Sequence, residues 1–207
     1  MRQLPDNKRD ELDRTPGNGL GTRLQALEEA GVLRLQKWDA PDAAAAAVVL
    51  AATTLANGAT TLVESGITQP DYPRALSITG NQGTATGDVV ITGTDYDDNV
   101  ITETITSTGA ATVPGAQAFK TVTSVLLPAR HAGGDTISVG ITDVLGAKQL
   151  LARDSVLLAF FNGAREGTLP TVVTDADEVC KNTFDPNSAL DASGDLEIVW
   201  LDLLDRV

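Results

Sequence analysis

The stretch Val100-Ile101-Thr102-Glu103-Thr104-Ile105-Thr106 repeats with a period of two: Ile101 and Ile105 fall on one face with Glu103 between them, and Val100 and three threonines occupy the other. That alternation marks a strand with one face toward a core and one toward water. Outward from it, between Pro73 and Gly140, the runs Arg74–Thr79, Gly87–Thr94, Ala118–Leu127 and Thr136–Ile141 follow the same rule, each bounded by Gly, Pro, Asn or Asp. Strands of this length joined by tight turns, with no helical crossover between them, predict antiparallel pairing. The expected fold is mainly β: an antiparallel β-sandwich, Ig-like or jelly-roll-like, with an extended N-terminal arm and one short helix.

The flanks are less regular. Ala43 to Ala47 has helical propensity, but Val48, Val49, Thr53 and Thr54 are β-branched and Asn57-Gly58 is a turn pair, which favours strands at Ala45–Leu55 and Thr60–Glu64. The last segment supplies Ser155–Phe161, Leu169–Thr174 and Leu196–Leu204. Val199-Trp200-Leu201 belongs to a core or a subunit interface, since burying a large apolar side chain is worth roughly 1.5–3 kcal/mol. Residues 39–150 are read as the β-sandwich domain, and residues 151–207 as strands that complete it or form a second small β-unit.

Residues 1–38 are read as an arm. Pro5, Pro16 and the glycines of Gly17-Asn18-Gly19-Leu20-Gly21 punctuate a charged, weakly apolar start, and with no strand before them these glycines make a linker, not a phosphate-cradling loop. Thr22-Arg23-Leu24-Gln25 is a capping box that starts a helix over about residues 22–30, with Leu24 and Leu27 on one face and Gly31 at its C-terminal end. A helix this short does not persist alone and must dock on its own body or on a neighbouring subunit. Val32 to Trp38 is extended. The candidate interface residues are Leu24, Leu27, Val32, Leu33, Leu35 and Trp38.

Composition narrows the chemistry. The chain has 207 residues, 42% hydrophobic, with 25 threonines and only 4% aromatics, so its strands are built from Val, Ile, Thr and Ala. No apolar run reaches the length of a membrane span, and the polar start lacks the apolar core of a secretory signal. Net charge is −13. Residues 1–38 carry seven basic and six acidic side chains, against eight and 22 in residues 39–207, and so acidic a body repels phosphate backbones. Neither nucleic acid nor membrane is an expected partner.

A single cysteine, Cys180, excludes an intrachain disulfide, and a single histidine, His131, excludes a paired-histidine metal site. No Gly-x-Ser-x-Gly motif accompanies His131, which reads as a surface-loop histidine. Cys180 has no nearby base in sequence and reads as an inert thiol. Asp95-Tyr96-Asp97-Asp98-Asn99 is oxygen-rich, yet it runs straight into a strand where a calcium loop would continue through a glycine turn to a distal Glu; a solvated hairpin turn is the simpler reading. Asp175, Asp177 and Glu178, and likewise Asp191 and Asp195, could pair for glycoside hydrolysis, but sugar-stacking aromatics are scarce. No catalytic residue, cofactor or metal is expected.

The phrases Pro73-Arg74-Ala75-Leu76-Ser77-Ile78-Thr79, Gly87-Asp88-Val89-Val90-Ile91-Thr92-Gly93-Thr94-Asp95, Ile101-Thr102-Glu103-Thr104-Ile105, Gly115-Ala116-Gln117-Ala118-Phe119-Lys120-Thr121-Val122-Thr123-Ser124-Val125 and Gly134-Asp135-Thr136-Ile137-Ser138-Val139-Gly140 together resemble a β-domain common among virion structural proteins of tailed bacteriophages. The resemblance covers about 70 of the 207 residues. It implies a virion component of the capsid-decoration, head-fibre or tail class, multimeric and without catalytic residues. The expected function is a non-enzymatic capsid decoration or cement protein, a homo-oligomer with a trimer favoured, bound to the major capsid protein or other virion subunits on the outer head surface. A tail-tube or head-to-tail connector subunit is the alternative within phage biology. A carbohydrate-binding or adhesive module is the alternative outside it, and Tyr72 and Tyr96 are the only tyrosines available for an aromatic platform.

Overall fold

The structure is a computed structural model, and it describes residues 33–202. The helix expected over residues 22–30, with Leu24, Leu27 and Val32, lies outside the described residues, as do the last residues of the run expected to reach Leu204. The described chain is mainly β, with strands β1 (Leu33–Trp38), β2 (Ala45–Thr54), β3 (Thr61–Val63), β4 (Arg74–Gly80), β5 (Thr86–Thr94), β6 (Val100–Thr108), β7 (Thr112–Phe119), β8 (Thr121–Leu127), β9 (Thr136–Gly146), β10 (Val156–Phe161), β11 (Ala164–Arg165), β12 (Thr171–Val173), β13 (Thr183–Asp185) and β14 (Leu196–Leu201). One helical turn, Val179–Lys181, interrupts them.

The strands form three antiparallel sheets. One has the order β3-β8-β5-β6, a second β12-β13-β9-β4-β7 with β2 also on β9, and the third β1-β14-β10-β11. The first two face each other as a β-sandwich. Between them Leu76, Ile78, Val89, Ile91, Ile105, Phe119, Val125, Leu127, Ile137 and Val139 close a core without large aromatics other than Phe119. The alternation of β6 is realised as expected: Glu103, Ile105 and Ser107 are buried while Thr102, Thr104, Thr106 and Thr108 face water.

A second core lies under the third sheet. Trp38, Leu145, Phe184, Leu196, Ile198 and Trp200 build it. Phe184 sits at its centre, edge-on to Trp38 at 6.1 Å and tilted against Trp200 at 5.4 Å, arrangements that favour aromatic pairs. The eleven-residue β9 serves both cores, with Ile137, Val139 and Ile141 in the first and Leu145 in the second. Its edge opposite β4 is taken by β2 over Thr136–Ile141 and by β13 at Leu145 and Gly146. Gly140 is required where β2 crosses, because a Cβ there would run into the Ala45 carbonyl.

Two expectations are corrected. Leu33–Trp38, assigned to the arm, is strand β1, paired along its whole length with β14. The buried Gln36 locks it further, donating to the Gly146 carbonyl at 3.0 Å and accepting from the Lys148 amide at 2.9 Å. The single strand expected at Ala118–Leu127 is two, since the chain bends at Lys120 and passes from one sheet of the sandwich to the other. The strands expected on either side of Asn57-Gly58 are present as β2 and β3, of which β2 joins β9 and β3 joins β8.

Candidate interaction surfaces

Glu103 projects inward from β6 and is buried, with Oε1 accepting from the Ala116 amide at 2.6 Å and Oε2 from the Gln117 amide at 3.4 Å. β6 and β7 are edge strands of the two facing sheets, so this carboxylate ties one open side of the sandwich shut. Burial raises its pKa, and the two amides oppose that shift only in part. A carboxyl whose pKa rises on folding contributes stability that is complete below the ordinary value of 4.5 and is lost as pH climbs through the folded value. Glu103→Gln keeps an acceptor for Ala116 and removes the titration. The expected result is that the stability difference between this variant and the native protein grows in favour of the variant from pH 4.5 upward, whereas Glu103→Ala, which removes the acceptor of the Ala116 and Gln117 amides, costs about 1 kcal/mol at every pH. Urea melts across that range measure both.

Asp95 and Asp97 of one acidic cluster and Asp177 and Glu178 of another, distant in sequence, line one cleft of about 590 Å³ together with Gln117, Cys180 and Lys181. Their carboxylates serve their own turns. Asp95 is buried and accepts from the amides of Asp97 and Asn99, both at 2.9 Å, and Asp175 accepts from those of Asp177 and Glu178, both at 2.8 Å. Those two backbone bonds hold the Asp175 carboxyl below its ordinary value. Asp98 and Glu178 are taken by Lys120 at 2.7 Å and Lys181 at 2.6 Å. Among the described residues no three His, Cys, Asp or Glu side chains converge as metal ligands. The buried Cys180 thiol is pushed up by desolvation and further by Glu178 and Asp95, which disfavours the thiolate a nucleophile needs.

His131 is exposed and does not line that cleft. Its loop is organised by Asp135, which is fully buried and accepts from Gln82, Thr84 and the amides of His131 and Ala132 at 2.5–3.0 Å. The Thr84 hydroxyl, first among these donors, holds the Asp135 carboxyl well below the usual range. The third acidic group behaves likewise: Asp191 caps the amides of Ser193 and Gly194, and Asp195 meets Lys37 at 2.8 Å.

Of the interface candidates inside the described residues, Leu33 and Trp38 are buried, Trp38 as part of the second core, and Leu35 is 51% exposed. Leu35 sits on the outer face of the third sheet. Residues paired across antiparallel strands share a face, and the ladders β1-β14-β10 place Leu33 beside Leu201 and Leu35 beside Val199 and Leu158 on it. Two residues further along, the row holds Lys37 beside Glu197 and, on β10, Phe160. This apolar half-face was not anticipated; the signal was Leu196-Glu197-Ile198-Val199-Trp200-Leu201, apolar at both odd and even positions near its end, as in strands covered on both sides. The other exposed apolar side chains, Val48, Leu62, Val100, Leu169 and Val173, are spread over different elements.

Comparison with protein families gave no matching family model. Comparisons with curated proteins and with solved structures gave no match. Among the described residues no helix is long and apolar enough to cross a membrane.

Proposed function

We propose that this chain is a non-enzymatic structural protein of a phage virion, a capsid decoration protein that sits on the outer head surface as a homotrimer. The observation that carries the reading is how the N-terminal segment is anchored: it runs directly into β1, which β14 and Gln36 hold to the body. A load on that segment is therefore borne by a strand paired along its whole length and not by a loop. The described acidic turns spend carboxylates on their own backbones and on neighbouring lysines, as in a scaffold, and the resemblance over residues 73–140 supplies the virion context. In the decorated head, three weak contacts from one trimer would reinforce one another through high effective concentration.

Two measurements test this. Light scattering on the full chain should give a mass three times the 21.5 kDa monomer, and deleting residues 1–21 should abolish co-sedimentation with undecorated capsids while leaving the melting transition in place. A hexameric ring or a growing filament would move the assignment to the tail tube or connector. Unchanged capsid binding by the truncated chain would put the contact on the body.

A further inference from the structure

We infer that the pocket between the β10–β11 hairpin and the loop after β13 binds a neutral sugar ring, with Glu166 as its central acceptor. The inference does not rest on the virion reading.

Its first support is an unspent acceptor. Glu166 follows β11 directly and is only 8% exposed. Its Oε1 accepts from the Ser188 amide at 2.8 Å, while its buried Oε2 has no hydrogen-bond partner among the described residues. Folded proteins leave few buried oxygens in that state, and each calls for a donor from water or from a ligand. Glu166 lines a pocket of about 430 Å³, within the range of small-molecule sites.

Its second support is that the walls are set in advance. Asn162 and Gly163 have φ of 51° and 73°, as a tight two-residue hairpin turn needs, and the Glu166 amide returns to the Ala159 carbonyl at 2.9 Å. The bond from Ser188 ties the far loop to this hairpin. Phe161, another lining residue, has its ring against Gly194, where an added Cβ would come within 3.0 Å of it. A site formed before its ligand arrives spends little binding energy on ordering.

The class of ligand follows from the lining. Glu166 and Arg165 contribute one charge of each sign. A divalent cation would find a single carboxylate beside a guanidinium, and among the described residues no three His, Cys, Asp or Glu converge as ligands. An anion would meet the Glu166 carboxylate. What fits is an uncharged molecule with several donors and acceptors: Asn162, Asn187 and Ser188 also line the pocket, and their side chains make no hydrogen bond to another described residue. Amide and hydroxyl groups of this kind both donate and accept. A hexopyranose offers hydroxyls to them and to Glu166, and an apolar C–H face to the Phe161 ring. Neither Tyr72 nor Tyr96 lines the pocket.

Saturation-transfer NMR on the full chain tests this, with D-glucose, D-galactose, D-mannose and N-acetyl-D-glucosamine as separate probes. At least one should receive saturation from the protein, and Glu166→Gln, which puts an amide donor in place of an acceptor, should raise its Kd about tenfold or more. Tryptophan emission shows whether that variant is folded. Should it not be, Asn187→Ala decides, because Asn187 is exposed and bears no described contact of the fold: weaker binding there supports the site, and unchanged binding overturns it. A folded Glu166→Gln protein that binds as tightly as the native chain also overturns it, since the sugar then sits elsewhere. Absence of transfer to all four sugars overturns it too, and leaves Glu166 Oε2 to an ordered water. A melting temperature raised by calcium chloride, with no sugar bound, would replace the neutral ligand by a cation.

Discussion

Replacing Arg74 by methionine is expected to lower the unfolding free energy by about 3–5 kcal/mol, or on the order of 10 °C in melting temperature for a chain of this size. Arg74 opens β4 with its side chain wholly buried. Its Nε donates to the Thr142 carbonyl at 2.8 Å, one terminal nitrogen to Asp71 at 2.6 Å, and the other to the Asp42 carbonyl at 2.9 Å. Three segments are thereby held at one point: the lead into β2, the turn before β4, and the stretch of β9 that passes from the first core to the second. Methionine fills much of the volume but satisfies none of these acceptors, leaving two part-buried carbonyls and the Asp71 carboxylate without this donor. Lysine keeps the charge, yet its single ammonium cannot span acceptors arranged for a planar fork, so Arg74→Lys should lose most of the same stability. A double-substitution cycle with Asp71→Asn isolates the ion pair. Equal stability of native and methionine proteins in urea would show that hydrophobic packing at this position replaces the clamp, and the clamp would then not be what joins the two cores.

Arg74 also shows where the sequence is informative. Its place at the head of a strand is legible, because Ala75 through Thr79 are bounded and patterned, but its three acceptors come from positions 42, 71 and 142, and no local signal pairs them. The same division runs through the molecule. β5, β6 and β9 are legible because period-two alternation is a local consequence of one buried face. β7 is not: Pro114 and Gly115 in its middle argue against a strand, and it exists because an edge strand tolerates both. Three-residue β13 is too short to carry a pattern. Each acidic cluster is legible as a turn, from Asp and Asn in short polar loops, while the meeting of Asp95 and Asp97 with Asp177 and Glu178 across one cleft is a product of topology. Glu103 is legible as an inward position, but its amide partners lie on the strand the sequence hides.

Strand β1 is the most consequential of these cases, because it decides where the arm can be cut. Removal of residues 1–38 is expected to unfold the C-terminal core, whereas removal of residues 1–32 is expected to leave it folded. The longer deletion takes away Trp38, which is 1% exposed and packs on Phe184, and with it Gln36 and the whole β1–β14 ladder. Loss of a buried tryptophan side chain alone costs about 3–5 kcal/mol, and exposure of the Leu196–Leu201 edge adds unpaired backbone groups to that. Tryptophan emission reads this core without ambiguity, since Trp38 and Trp200 are the only two in the chain and both belong to it. In the 1–32 deletion both remain and the emission should stay blue-shifted, with a melting temperature close to that of the full chain. In the 1–38 deletion the remaining Trp200 should shift to the red and its near-ultraviolet circular dichroism should vanish, while the first core, whose strands are complete without β1, keeps its far-ultraviolet β signal. A native-like Trp200 spectrum in the longer deletion would mean that β10, β13 and β14 hold the core unaided and that β1 is only laid against it; the anchoring on which the proposed role of the arm depends would then be absent.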